Sequence, residues 1–263
     1  MKLREVYERI DARYPKRLSD DYVARYGGHD NSGILLMDAD AEIAGALFSL
    51  DLSLGAIAAA KEKGMNLIVT HHPAIFFPVA NIRTDDALGA RLHACLRAGI
   101  GVVSMHLNLD CAVGGIDEHL ARAAGAVGEI GIGEPLPAGG GYGRFYAVEP
   151  SPLSAFAAKL GEALGTRRVF VYGDPDTKIS RAASFCGAGL DGSAIAAAKS
   201  RGSQAVVSAD IKHNFICDAL ESGLCVVQLT HYASENYGFR KIYQSLGAEL
   251  GVPCAFYQDA QML

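Results

Sequence analysis

Two adjacent imidazoles, His71 and His72, close the segment Asn66-Leu-Ile-Val-Thr-His-His-Pro73. Farther along, His106 and Asp110 lie four residues apart in His-Leu-Asn-Leu-Asp, and His231 and Glu235 repeat that spacing in His-Tyr-Ala-Ser-Glu. Neutral imidazoles and carboxylates are the ligand set of Zn, Fe, Mn or Ni sites. Neighbouring side chains on a strand point to opposite faces, but Pro73 bends the chain at the strand's end, so both histidines can enter one crevice. That geometry suits two metals rather than one. Five donors, His71, His72, Asp110, His231 and Glu235, exceed the needs of a single tetrahedral ion once water is counted. Carboxylates bridge and imidazoles do so poorly, so Asp110 and Glu235 are the natural bridges and the histidines terminal ligands. Two ions about 3.5–4 Å apart activate water and clamp an oxyanion. Taken singly, the same residues have plainer roles: a His-His pair on a wet loop, or Glu235 complementing a helix dipole. His106 is a candidate sixth ligand, though its more expected place is beside the ligands, orienting one or fixing a proton. His213, with Asp210 and Lys212, forms a polar cluster at a later strand exit, where it can face substrate. His106 and His213 are the expected proton shuttles.

These donors must be delivered by strands. Leu67 to Val69 reads as a buried strand following the Ala-rich helix of Leu54 to Lys63, which Asp51 or Ser53 can cap. Gly101 to Ser104 is the strand that leads to His106 and Asp110, after a helix over Asp85 to Ala98. The periodicity of Leu3, Val6, Tyr7 and Ile10 predicts an opening amphipathic helix. Ala56-Ile-Ala-Ala-Ala-Lys61 recurs letter for letter as Ala194-Ile-Ala-Ala-Ala-Lys199, with Gly64 matched by Gly202. Strand Leu224 to Gln228 then leads to His231 and Glu235 as Gly101 to Ser104 leads to His106 and Asp110. Such self-similarity reports repeated supersecondary units. Between Gly125 and Gly143 the chain turns glycine-rich, which predicts a turn or link and a domain boundary. The expected fold is therefore α/β: two related halves, 1–128 and 129–263, with mostly parallel sheets packed around a central dinuclear metal site. Ligands of such sheets gather outside the carboxyl ends of the strands, where the donors lie.

Half of the 263 residues are apolar, enough for a substantial core, and the formal net charge is −5. No long basic run occurs, which argues against a nucleic-acid-tracking face. No apolar stretch nears the ~20 residues of a membrane span. The first residues lack the pattern of a signal peptide, and the six cysteines form no CxxC pair, so reduced thiols in the cytoplasm are expected. Cys111, next to Asp110, is expected to pack rather than react. Gly187-Ala-Gly189-Leu-Asp-Gly192 has the spacing of a dinucleotide fingerprint, with Asp210 at the distance of a ribose-binding acid. The alternative, favoured over it, is a phosphate or oxyanion cradle at the Ser193 helix start.

Asp30-Asn31 with Gly33, Val69-Thr-His-His-Pro73, His106-Leu-Asn-Leu-Asp110 with Gly114-Gly115, and His231-Tyr-Ala-Ser-Glu235 together resemble the Nif-three-like family of dinuclear-metal-centre proteins, often labelled GTP cyclohydrolase 1 type 2. The resemblance runs nearly end to end. It implies the same five ligands, His71, His72, Asp110, His231 and Glu235, two α/β halves without an inserted middle domain, and a hexameric toroid. Where the family reads Gly-Asp-[Ile/Val]-Lys-Tyr-His, this chain has Ala209-Asp-Ile-Lys-His213-Asn214, so its histidine is displaced by one place. The implied function is metal-dependent hydrolysis of a nucleotide-like or phosphate-bearing substrate, with metal-bound hydroxide as nucleophile and two divalent ions (Zn, Fe, Mn or Ni) per chain. The competing expectation is a non-catalytic metal-binding oligomer acting as scaffold, regulator or metal chaperone.

Overall fold

The structure, a computed structural model, describes residues 1–262. Leu3, Val6 and Ile10, spaced for one helical face, are buried on α1 (Leu3–Arg13), and α2 (Arg17–Tyr26) follows. Strands β1 (Gly33–Leu36) and β2 (Ala46–Ser49) come next, then α3 (Leu54–Glu62), β3 (Leu67–Thr70), α4 (Ala87–Ala98) and β4 (Gly101–Ser104). Short α5 (Leu107–Cys111) and α6 (Ile116–Ala123) lead to β5 (Ala126–Pro135) and β6 (Gly141–Pro152). After α7 (Leu153–Leu164) and β7 (Val169–Tyr172), the alternation resumes with β8 (Lys178–Ser184), α8 (Gly192–Ser200), β9 (Ala205–Ala209), α9 (His213–Glu221) and β10 (Cys225–Leu229). The long α10 (His231–Glu249) and β11 (Cys254–Tyr257) close the chain. Among the described residues no helix is long and apolar enough to cross a membrane.

The chain forms two compact units. The first holds Met1–Leu109 and Phe239–Asp259, and the second holds Asp110–Gly238 and takes the chain again from Ala260. The expected halves, 1–128 and 129–263, follow the sequence; the compact units do not, because β11 and most of α10 return to the first one. In the first unit the sheet order is β1-β4-β3-β2-β11, parallel except for β1. β2, β3 and β4 are buried throughout, as strands covered on both faces must be. Leu47, Ile68 and Val102 are fully buried there against Ala56 and Ala60 of α3, each such side chain contributing about 1.5–3 kcal/mol. In the second unit the order is β5-β6-β8-β9-β10-β7, with a parallel centre of β8, β9 and β10 and antiparallel flanks.

The internal repeat is visible in atomic detail. Ser53 caps α3 by accepting from the Ala56 amide, and Asp191 caps α8 by accepting from the Ala194 amide. Each helix ends in a left-handed glycine, Gly64 (φ +64°) and Gly202 (φ +70°), and a buried parallel strand follows. The glycine-rich stretch behaves differently from a plain link. β5 and β6 pair as an antiparallel ribbon, and the turn itself is confined to Leu136–Gly140. Backbone ladders need no side chains, so composition alone does not separate such a ribbon from a loop.

Candidate metal centre

In the first unit, β3 hands the chain directly to His71 and His72. The amides of both donate to the Leu50 carbonyl (3.1 Å each), and the Thr70 hydroxyl donates to the His72 carbonyl at 2.8 Å. The turn is thus tied to its own strand and to the end of β2. His71, fully buried, donates from Nδ1 to the Met105 carbonyl (2.8 Å), which fixes its tautomer because a carbonyl only accepts. His72 places Nδ1 2.7 Å from Asp51, and His106 places Nδ1 2.6 Å from Asp30. The ligand atoms of His71, His72 and His106 lie within 4.8 Å of one another and could hold a metal ion. Burial would raise the Asp30 pKa, but hydrogen bonds from His106, Ser19 and Ser32 hold its carboxyl well below the usual carboxylate range. It therefore faces the imidazole as an anion.

In the second unit, His231 opens α10 just after β10, and Glu235 sits one turn on, the i,i+4 spacing that shares a helix face. His231 Nε2 is 3.1 Å from a Glu235 oxygen, and its Nδ1 is 2.7 Å from Asp210. Asp210 stands at the exit of β9 with φ +45°, a left-handed conformation that a short polar side chain tolerates. Asp110 is buried, accepts from the Cys186 thiol at 3.3 Å, and has a carboxylate oxygen within 4.8 Å of one from Glu235. Two carboxylates buried this near each other favour a cation or a shared proton between them. Beneath them lies Asp117, fully buried, whose carboxylate accepts from Ser184 and the Cys186 amide (3.3 Å each). Burial pushes its pKa up to about 7, against the opposing pull of the Arg144 guanidinium.

All four imidazoles hold Nδ1 against an oxygen, so the Nε2 lone pair is the one each offers. An oxygen accepting from the other ring nitrogen is the usual companion of a metal-bound histidine. The donor chemistry of each unit fits a divalent transition metal.

The glycine trio has a different task from nucleotide binding. A Cβ on Gly187 (φ +57°) would lie 2.4 Å from Glu235 Oε1 and 3.2 Å from His231 Nε2, and one on Gly189 would meet the Tyr142 hydroxyl at 1.9 Å. The loop is glycine so that the backbone can close over the donors. Nor is the start of α8 open to phosphate, because the Asp191 carboxylate already caps it and accepts from Ser193 as well. His213 is exposed at the start of α9, 3.6 Å from Cys217, outside these donor groups. Cys111 is fully buried, and burial pushes its thiol pKa far up, which makes it a packing residue. The sequence offers no role at the donor groups for the partners Asp30, Asp51, Cys186, Asp117 and Arg144. Asp30 lay in a quoted motif and Asp51 stood as a candidate cap, whereas nothing local marked the other three.

Comparison with known proteins places this geometry in context. The sequence model of Duf34/NIF3 (NGG1p interacting factor 3) matches residues 1–261. A Clostridium perfringens protein named GTP cyclohydrolase 1 type 2 homolog is 29% identical over 237 residues, covering 89% of this chain and 87% of that one. The crystal structure of a Bacillus cereus protein related to NIF3 superposes with a TM-score of 0.88 at 20% identity, over 100% of this chain and 98% of that one. Reduced HcgD from Methanocaldococcus jannaschii gives a TM-score of 0.78 at 26% identity, over 98% of each chain.

Proposed function

The chain belongs to the Duf34/NIF3 family, and from that premise we propose that it is a dinuclear metal-dependent hydrolase acting on a nucleotide-like or phosphate-bearing substrate. The proposed ligands are His71, His72, Asp110, His231 and Glu235. One observation carries the proposal: the Nδ1 atoms of His71, His72 and His231 are each held by an oxygen, which presets Nε2 for coordination. When bound, a divalent pair supplies Lewis acidity and lowers the pKa of water. The chain's own groups do the rest. Asp210 and Asp51 orient their imidazoles, and Gly187, having no Cβ, lets the backbone lie against Glu235 and His231. His106, held by the Asp30 anion, carries the proton between site and substrate. Exposed His213 is confined to relaying protons from solvent.

The GTP cyclohydrolase wording in the relatives' names supports a nucleotide-like substrate as the first class to try. The free cysteines, Cys186 among them, accord with a cytoplasmic protein in this proposal, where thiols stay reduced. A homo-hexamer is the proposed assembly.

The test has two parts. Metal analysis of purified protein is expected to give about two ions per chain. Protein loaded with Mn, Zn or Fe is then screened against nucleotides and phosphoesters, with D110A expected to lose turnover while keeping its oligomeric mass. Silence across the whole panel, with metal bound, would replace the hydrolase with a metal-binding scaffold or chaperone.

A further inference from the structure

The loop that follows the His71–His72 pair carries a series of rings that the metal proposal leaves unused. From Pro73 to Asp86 the chain has neither helix nor strand, and Phe76 and Phe77 lie near its start. Phe76 meets His106 edge to face, with ring centroids 6.1 Å apart, and His106 in turn lies 5.1 Å from the ring of His71. Outward from Phe76, Phe77 follows at 4.8 Å, again edge to face, and His29 stacks on Phe77 at 5.0 Å with 13° between the planes. All of these separations are those of rings in contact, so the series runs unbroken from a proposed metal ligand to the surface. The loop that carries it is anchored at both ends. His29 donates from Nε2 to the Phe76 carbonyl at 2.8 Å, and Asn31 donates from Nδ2 to the Ile75 carbonyl at 2.6 Å. At the far end Gly89 of α4 makes room for the backbone of Arg83, whose carbonyl oxygen would lie 1.9 Å from a Cβ there. Phe77 nevertheless stays 63% exposed, so with His29 against one face its other face is open to solvent.

We propose that Phe77, backed by His29, is the surface on which the nucleobase of the substrate stacks while the phosphate faces the histidine cluster. The stacking site rests on the nucleotide-like reading of the substrate and adds to it the residue that selects the base-bearing members. A ring held in one orientation before the ligand arrives has already met its ordering cost, which is what lets a single stacked pair contribute to affinity. The two ends of the series differ chemically as the two ends of a nucleotide do. At His71, His72 and His106 the imidazoles and any bound cation attract phosphate, whereas at Phe77 an aromatic face meets the flat face of a base. A purely apolar partner would match the outer end and leave the inner end unexplained. Because every base has a π-face, stacking favours nucleotides over phosphoesters that lack a ring without choosing among the bases. Phe77 is on this account a specificity-determining residue.

The test uses the full-length, Zn-loaded chain and two probes, GMP and ribose 5-phosphate, which share ribose and phosphate and differ by the base. Calorimetry is expected to show F77A binding GMP roughly tenfold more weakly than wild type, the loss of one stacked ring, with its affinity for ribose 5-phosphate unchanged. The chain has no tryptophan, so F77W carries a single one at the proposed contact. Its fluorescence should be quenched saturably by GMP and not by ribose 5-phosphate, while L96W, exposed on α4 outside the ring series, should stay bright with both. Phe77 is on the surface, so circular dichroism of each variant should match wild type. Equal GMP affinity in F77A and wild type, an equal loss of both probes in F77A, or equal quenching of F77W and L96W would each overturn the stacking site. With ribose 5-phosphate still bound by wild type, the hydrolase reading would survive any of those results; failure of wild type to bind either probe would take both down. A lower oligomeric mass for F77A would make this face a contact between copies of the chain, and would overturn the stacking site alone.

Discussion

At the scale of single residues, the division of labour runs through the imidazole ring. His72 has its Nδ1 fixed 2.7 Å from Asp51, so Nε2 is the ring nitrogen it can offer a metal. Removing that charge while keeping the shape separates positioning from ligation. D51N is expected to lower metal affinity 10- to 100-fold. The metal-free protein should melt at the wild-type temperature, since Asp51 is half exposed and its ion pair contributes little to stability. Competition with a chromophoric chelator measures the first effect and thermal melting the second; equal metal affinity in D51N and wild type would remove Asp51 from the site. Sequence spacing marks the proposed donors but not these partners. His71 and His72 are adjacent, and His231 and Glu235 are one helical turn apart, so local spacing exposes them. Asp51 lies 21 residues from His72 and Asp30 lies 76 from His106, separations that only the folded chain cancels. Cys186 and Asp117 were hidden for the same reason.

At the scale of elements, the repeated helix was the most legible feature because its signals are local. An N-cap, an alanine run and a terminal glycine recur at fixed offsets in α3 and α8, and each is set by backbone chemistry that tertiary contacts do not override. β5 lies inside the glycine-rich stretch that predicts a turn or link, because glycine is the residue of turns, and only its pairing with β6, which in turn pairs with β8, reveals it as sheet. The glycine trio shows the same ambiguity at closer range. Its spacing fits a dinucleotide loop, yet Gly187 and Gly189 are explained by Glu235 and Tyr142 alone. A pair of variants separates the two explanations. G187A places a Cβ in a left-handed backbone at a cost of about 1–2 kcal/mol, and pushes it into Glu235, so both melting temperature and metal affinity should fall. G192A meets nothing within 4 Å and should leave both unchanged, or stabilise α8 slightly. A nucleotide site at this loop would instead make G192A as harmful as G187A.

At the scale of the whole molecule, the α/β class and its strand-exit donors were legible, whereas the course of the chain between units was not. The long α10 begins with His231 in one unit and ends in the other, and β11 then joins the first sheet through β2. Pairing of strands from opposite ends of a sequence leaves no local trace, so a cut near residue 128 was the natural expectation. The proposed ligands come from both compact units: His71 and His72 from the first, Asp110, His231 and Glu235 from the second. Each unit has its own sheet and buried cluster, so each can unfold as its own cooperative block. On the proposed ligand set, a cation pair would bind only when both blocks are folded, and a ligand that binds the native form alone stabilises by about 2.7 kcal/mol at a hundredfold excess over Kd. Calorimetry of chelator-stripped protein should then show two separable transitions, or one broad one. Adding Mn or Zn should merge them into a single sharper transition at higher temperature, and D110A should keep the metal-free profile in either condition. Were the metal to raise only one of the two transitions and leave the other in place, the ions would belong to a single unit, and His71 and His72 would have to be assigned a site of their own with His106.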